Sequence, residues 1–218
     1  MTVWFNTDKY TPLELSVVGV GCLVWVLVYA IVVFRIVRFK YVEIPAAAVA
    51  ANIAWEFLWG FVWGTDIGMA VTWMYRLGCL LDVFILAMLF RYGALQVSTP
   101  AIRQAFKPAL VAATLVWTLA VATYVNQGYD NGYGGLSGYI ISAQLTSLYL
   151  FLFLKSEMRL FSYAVAWLRF AGDTAISAFN VMVAHDNHFL MVLLAITFVF
   201  DVLYVVAFTR RRRAEPGG

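Results

Sequence analysis

The sequence predicts an all-α fold: a seven-transmembrane-helix bundle with the N-terminus outside and the C-terminus cytoplasmic. Three observations carry this. The 218 residues are 63% hydrophobic and only 12% charged, whereas a soluble domain is about 45–50% apolar and 25% charged. Seven apolar stretches are each long enough to cross a hydrocarbon layer ~30 Å thick. The basic residues then fall on alternate sides of those stretches.

The stretches are Leu15–Phe34, Pro45–Gly64, Met69–Phe90, Pro108–Val125, Gly138–Leu154, Phe161–Val183 and Phe189–Phe208. The first is uncharged and lacks the basic leader and small-residue cleavage site of a signal peptide, so it is kept as a helix. Pro45 and Pro108 sit at the proposed helix starts, where proline is tolerated. With the N-terminus outside, the inner segments hold Arg35, Arg38, Lys40, Arg91, Arg103, Lys107, Lys155, Arg159 and Arg210 to Arg213. The outer segments hold Lys9 alone. This positive-inside bias supports both the helix number and its direction. No repeat or long polar linker divides the chain. Residues 1–209 read as one membrane domain and 210–218 as a basic cytoplasmic tail, a topology anchor rather than a nucleic-acid patch. Cys22 and Cys79 lie in apolar stretches and read as small buried hydrophobes, not as a disulfide.

Six ionisable residues remain at membrane depth: Glu56, Arg76, Asp82, Arg169, Asp173 and Asp201. Each costs about 2.5–3.5 kcal/mol at a helix centre. Exposed to lipid, the six would cost roughly 15–20 kcal/mol, more than a typical domain's stability. They must face one another or a cavity. At about 1.5 Å of rise per residue, the four acids lie about 10–18 Å from the inner ends of their spans, near the midplane.

Arg169 and Asp173 share a helix face and are expected to neutralise each other. Arg76 is expected to pair with Asp82 or with an acid on a neighbouring helix. Glu56 and Asp201 have no basic partner at helical spacing, so they are the candidate working acids. Asn52, one turn before Glu56, is placed to orient its carboxyl or to serve as interhelical glue. Trp55 and Trp59 follow Glu56's helix, and Phe198 and Tyr204 flank Asp201. Aromatics so spaced pack helices, and beside buried acids their faces can also stabilise a cation.

The Asn52, Trp55 and Glu56 set, in NIAWE on the second of seven helices, resembles the Asn-x-x-Trp-Glu signature of the small integral-membrane terpene cyclases. That family makes fungal meroterpenoids and indole diterpenes, and has bacterial relatives acting on prenylated indole alkaloids. The resemblance runs over the whole chain. Asp82, in RLGCLLDVF, is similar to the family's third-helix acid, without the aromatic that precedes it there. Asp201, in FVFDVLY, resembles the acid of the last helix. Trp167, Arg169 and Gly172, in WLRFAGD, look like the family's sixth-helix Trp-x-Arg-x-x-Gly segment.

The resemblance implies that Glu56 and Asp201 are catalytic, with Asn52, Asp82 and Arg169 in support. It implies a substrate with a farnesyl or geranylgeranyl chain on an aromatic or lactone core. The acid protonates a terminal epoxide or alkene, and carbocation cyclisation follows. The residues agree with this chemistry, because a carboxyl in apolar surroundings can keep a proton at neutral pH, as general acid catalysis needs. Neither a DDxxD metal cluster nor a DxDD acid motif occurs, so no metal and no cofactor are expected. The partners are a prenylated small molecule and membrane lipid, in the plasma membrane of a bacterium or the endoplasmic reticulum of a eukaryote.

A proton-coupled carrier of a lipophilic molecule is the alternative, because buried acids also mark proton relays. A retinal protein is excluded: Lys9, Lys40, Lys107 and Lys155 all fall at helix ends or in loops. A lipid-modifying hydrolase lacks a visible Ser/His/Asp set. His185 and His188, in AHDNHF, have the spacing of metal ligands but read as a polar turn. The turn-rich segment NQGYDNGYGGLSG reads as a plain connection or as a lid over an outward cavity.

Overall fold

A computed structural model describes residues 3–214. Seven long helices form, and no strand occurs among the described residues. They are α1 (Pro12–Phe39), α2 (Ala46–Phe57), α3 (Met69–Tyr92), α4 (Pro100–Asn126), α5 (Gly135–Lys155), α6 (Tyr163–Ala184) and α7 (His188–Ala214). Local chemistry sets several ends. Thr11 and Glu14 form a capping box at α1, with Pro12 in its first turn. Pro45 precedes α2, and Lys40 ends α1 in the left-handed conformation. α2 runs into a π-helical turn, Leu58–Trp63, which Gly64 ends at φ 76°.

Six of these helical stretches, the π turn counted with α2, are long and apolar enough to span a membrane. α6 is the exception, because it carries Arg169, Asp173, Thr174, Ser177 and Asn180. It nevertheless lies between α1 and α7, and its Arg169, Asp173 and Asn180 are buried.

Two expected boundaries move. α4 starts at Pro100, with Pro108 inside the helix rather than at its start. The first turns of α4 are exposed, so water can satisfy the carbonyl that Pro108 leaves without a donor. The basic run 210–213 is not a separate tail. It continues α7, where Arg211 donates to the Ser156 carbonyl at the end of α5 (2.7 Å) and Arg212 lies over the Tyr163 ring (4.7 Å). Residues 215–218 of the expected tail lie outside the described residues. Cys22 and Cys79 are both free and buried.

The helices form a ring. α1 packs on α6, α6 on α7, α7 on α5, α5 on α2, α2 on α3, and α3 back on α1. α4 sits outside this ring, mainly against α2, and buries few of its residues. In this order α2 and α6 stand on opposite sides, which decides where the acids meet.

Beside the C-terminal end of α1, Glu43 is buried in the α1–α2 loop. One carboxylate oxygen accepts the Ser162 N–H (3.0 Å) at the start of α6 and lies 3.8 Å from Arg35 of α1. One loop residue thus ties the chain entering α2 to both helices. Burial pushes its carboxyl up to about 7, against the pull of Arg35 and of the Ser162 amide. The folded chain therefore binds this proton more tightly than the unfolded chain. The associated stability is complete below pH 4.5 and is lost as pH rises through about 7. Thermal unfolding in detergent should show a component of this sign, up to about 3 kcal/mol. Glu43→Gln should remove that component.

Candidate active site

Inside the ring is a cavity of about 1260 Å³, measured out to its open side. Its mostly apolar lining, drawn from five helices, suits a lipophilic ligand. α1, α2, α3, α5 and α6 supply its walls, and α7 supplies none. The aromatic wall comprises Trp25, Tyr29, Trp55, Tyr75, Tyr133 and Phe179. Three carboxyl groups interrupt this lining: Glu56, Asp82 and Asp173.

Glu56 and Asp82 belong to one hydrogen-bonded group. The Tyr29 hydroxyl donates to Glu56 Oε1 (3.0 Å). The Asn52 amide donates both to the Tyr29 oxygen (2.7 Å) and to Asp82 Oδ2 (2.8 Å). Asn52 therefore orients Glu56 through Tyr29, rather than directly as its position one turn away predicts. Glu56 Oε2 is buried without a hydrogen-bond partner. Gly78 of α3 leaves room for this carboxyl, since a Cβ there would overlap it. Tyr29 was not legible as a site residue, because α1 is apolar on every face. Gly78 carried a signal, since it lies one turn before Asp82 and shares its helix face.

The second group reverses the expected pairing. Arg169 does not pair with Asp173 on its own helix. Its Nη2 lies 3.2 Å from Asp201 Oδ1 on α7, and both side chains are almost wholly buried. Its guanidinium also sits 4.2 Å from the Tyr149 ring centroid and 5.7 Å from that of Tyr204. A buried guanidinium needs the carboxylate that reaches it with good geometry, and here that carboxylate comes from α7. Asp201 thus has the basic partner that helical spacing did not supply, and it does not line the cavity. Asp173 does, and its Oδ1 accepts the Trp25 indole N–H (3.1 Å). Glu56 and Asp201 are therefore not brought together around one space.

The other expected site residues divide. Trp55 lines the cavity. Trp59 is buried behind it between Trp55 and Trp63, at 6.4 and 5.4 Å between ring centroids, and is not part of the lining. Phe198 is 48% exposed on the outside of α7, because Thr197, Asp201, Tyr204 and Phe208 take the buried face. Tyr204 is in the core against Tyr149, Phe153 and Phe208, outside the cavity. Arg76 makes no ion pair among the described residues. It donates to the Gly60 carbonyl in the π turn (2.7 Å) and lies over Trp73 (4.7 Å). His185 and His188 flank the α6–α7 turn, where Asn187 accepts the Leu190 N–H.

The loop between α4 and α5 closes one end of the cavity, with Tyr133 and Gly134 in the lining. Asp130 accepts the backbone N–H groups of Leu136 and Ser137 and the Ser137 hydroxyl. Burial raises its carboxyl above its ordinary range, and the Ser137 hydrogen bond opposes this. Ser137 Oγ in turn accepts the Trp55 indole N–H (2.8 Å), which fixes that ring over the cavity. The N-terminal segment joins this cover. Lys9 pairs with Asp66 (2.5 Å), Tyr10 donates to the same carboxylate (2.8 Å), and the Asp66 N–H reaches the Gly132 carbonyl (2.9 Å).

Gly134 has φ 78°, and a Cβ there would overlap the Trp59 and Trp55 rings. Gly128 has φ 75° but open space around it. Gly128→Ala should cost only the backbone term, about 1–2 kcal/mol. Gly134→Ala should cost roughly 2–4 kcal/mol, because overpacking adds to it. Parallel thermal unfolding of the two variants measures the difference, and equal losses would mean that the indole rings yield freely.

Residues 8–214 match the family model of the Pyr4-like transmembrane terpene cyclases. No curated protein and no solved structure matches the chain significantly. The match covers almost the whole ring, including all three cavity carboxyls and the Arg169–Asp201 pair. The chain therefore belongs to the Pyr4-like transmembrane terpene cyclase family.

Proposed function

We propose that this protein cyclises a farnesyl or geranylgeranyl chain carried on an aromatic or lactone core, an indole being the aromatic of first choice. The reaction starts with a proton from Glu56 rather than with a metal-bound diphosphate. It is an isomerase- or lyase-type cyclisation that needs no cofactor.

One observation supports this above the others. Glu56 lines an aromatic-walled cavity, and its Oε2 is buried without a protein partner. Tyr29 holds the other oxygen, so the group keeps one orientation and can surrender a proton from the free one. Proton transfer to an alkene makes a C–H bond and a tertiary cation. Transfer to an epoxide makes an O–H bond as the C–O bond opens. In either case the glutamate left behind still receives the Tyr29 hydroxyl. The cation then lies among indole and phenol faces, which favour positive charge by about 0.5–2 kcal/mol each. Gly78 contributes by leaving the space that the carboxyl fills.

Glu56→Gln keeps the size and the Tyr29 hydrogen bond but has no acidic proton. Membranes with matched protein levels should convert farnesylated or geranylgeranylated indoles, epoxidised or not, at least about 100-fold more slowly than wild type. Near-normal turnover by Glu56→Gln would remove the proposed initiation step. Loss of proton-coupled uptake of a lipophilic molecule, with no turnover of any probe, would favour the carrier reading.

The inner segments hold twelve of the fifteen basic residues, and this supports an N-terminus outside and a C-terminus in the cytoplasm. A reporter fused after Arg213 should be active only on the cytoplasmic side. Activity on the far side would reverse the orientation.

A further inference from the structure

Asp201 lies behind the cavity wall, and Asp173 lies in it. The geometry points to Asp173 as the catalytic base that ends the cyclisation, with Asp201 and Arg169 as the residues that position it. This rests on the cyclase reading and goes beyond it, since neither the α6 spacing nor the family signature gave Asp173 a part in the reaction.

Three features of the placement argue for this. First, Glu56 and Asp173 enter the cavity from α2 and α6, on opposite sides of the helix ring, and are held by separate donors of α1, Tyr29 and Trp25. A cyclisation that moves positive charge along a chain starts at one end of it and loses a proton far from that point. It therefore needs two proton sites separated by the folded substrate. Asp82 does not meet this need, because it shares Glu56's own hydrogen-bonded group through Asn52.

Second, Asp173 is buried at 6% exposure and is held by one donor only, the Trp25 indole. Its Oδ2 is buried without a hydrogen-bond partner, as is Asp201 Oδ2. With Arg169 beside them, the singly protonated trio is neutral. The fully ionised trio has one net negative charge facing the cavity. A substrate cation cancels that charge on arrival, and proton transfer removes it.

Third, the packing fixes Asp173 in place. Gly172 lets the Trp25 indole approach, because a Cβ there would press on that ring. Asp201 cannot swing toward the cavity without leaving Arg169 buried and unpaired.

The step balances without an oxidant or reductant. At the start, the Glu56 O–H bond breaks and a C–H bond forms on the terminal alkene carbon, or an O–H bond on the epoxide oxygen. At the end, a C–H bond next to the last cationic carbon breaks, and its electron pair becomes the new C=C bond. The proton passes to Asp173.

Two measurements test this, using the full-length protein in membranes. The first is product analysis with a geranylgeranylated indole and its terminal epoxide. Asp173→Asn should lower formation of the wild-type product by at least about tenfold, while other cyclised products appear, including ones captured by water. Glu56→Gln should give no cyclised product. Asp201→Asn should give the wild-type products with a lowered kcat and an unchanged KM. Wild-type product at the wild-type rate from Asp173→Asn overturns the inference. So does a folded Asp173→Asn protein that makes no cyclised product of any kind.

The second measurement needs no turnover. In a Cys22→Ser, Cys79→Ser background, Asp173→Cys should react with a small lipophilic maleimide and be protected by the prenylated indole. Asp201→Cys should remain unlabelled. Labelling at position 201 instead, or at neither position, overturns the inference. If wild type converts no prenylated probe, the cyclase reading fails and the base role fails with it. The labelling result still decides which aspartate faces the cavity.

Discussion

The Arg169 guanidinium is the charge that the rest of the bundle has to accommodate. It is among the most deeply buried side chains of the protein, and an unpaired charge at that depth would cost several kcal/mol. Asp201 pairs with it from α7, and Tyr149 of α5 and Tyr204 of α7 place their rings against it. One residue of α6 therefore holds three helices together. α6 is also the helix that fails the hydropathy expected of a span. Its polar residues are tolerable because their partners lie on α1, α5 and α7. The pairing of Arg169 with Asp201 leaves Asp173 to the cavity.

The cavity depends on close approach as much as on charge. Glu56 stands against α3 only because residue 78 is glycine, and Trp55 lies over the α4–α5 loop only because residue 134 is glycine. Small residues let membrane helices approach, and the energy then comes from packing and from hydrogen bonds between helices. Here the hydrogen bonds run from aromatic donors to carboxyl acceptors: Tyr29 to Glu56 and Trp25 to Asp173. Each donor presents an apolar body to the cavity and a polar tip to an acid, a combination that Tyr and Trp alone provide.

The sequence revealed the helices and the burial of the acids because both follow from lipid as solvent. Apolar length and basic loops are strong signals, and six buried charges had to find partners. It did not reveal how each helix is rotated. α7 is apolar almost all round, so nothing in the pattern told Phe198, which faces outward, from Tyr204, which is buried. The same uniformity hid Trp25 and Tyr29 on α1. Arg169 had two carboxylates within reach, one on its own helix and one on α7, and four-residue spacing favoured the wrong one. The Trp55, Trp59 and Trp63 series reads as a continuous α-helix. A π turn begins at Leu58 and turns the later positions to a new face. Asp130 was hidden by distance, since its role depends on Ser137 and on an indole from another helix.

In the proposed cyclisation, a carbocation in this cavity would be exposed to any nucleophile that reaches it, and the cavity carboxylates are such nucleophiles. Each of the three has one oxygen engaged by a fixed donor: Tyr29 on Glu56, Asn52 on Asp82 and Trp25 on Asp173. A hydrogen bond to a carboxylate oxygen draws charge from it and fixes the group's rotamer. Both effects oppose attack on a passing cation, which would form an ester and stop the reaction. Neither prevents the second oxygen from giving or taking a proton, because proton transfer needs only a short approach along one line. The donors therefore separate the two reactions open to a carboxyl beside a cation. In the proposed cyclisation they would favour proton transfer, with the aromatic walls holding the cation until it occurs.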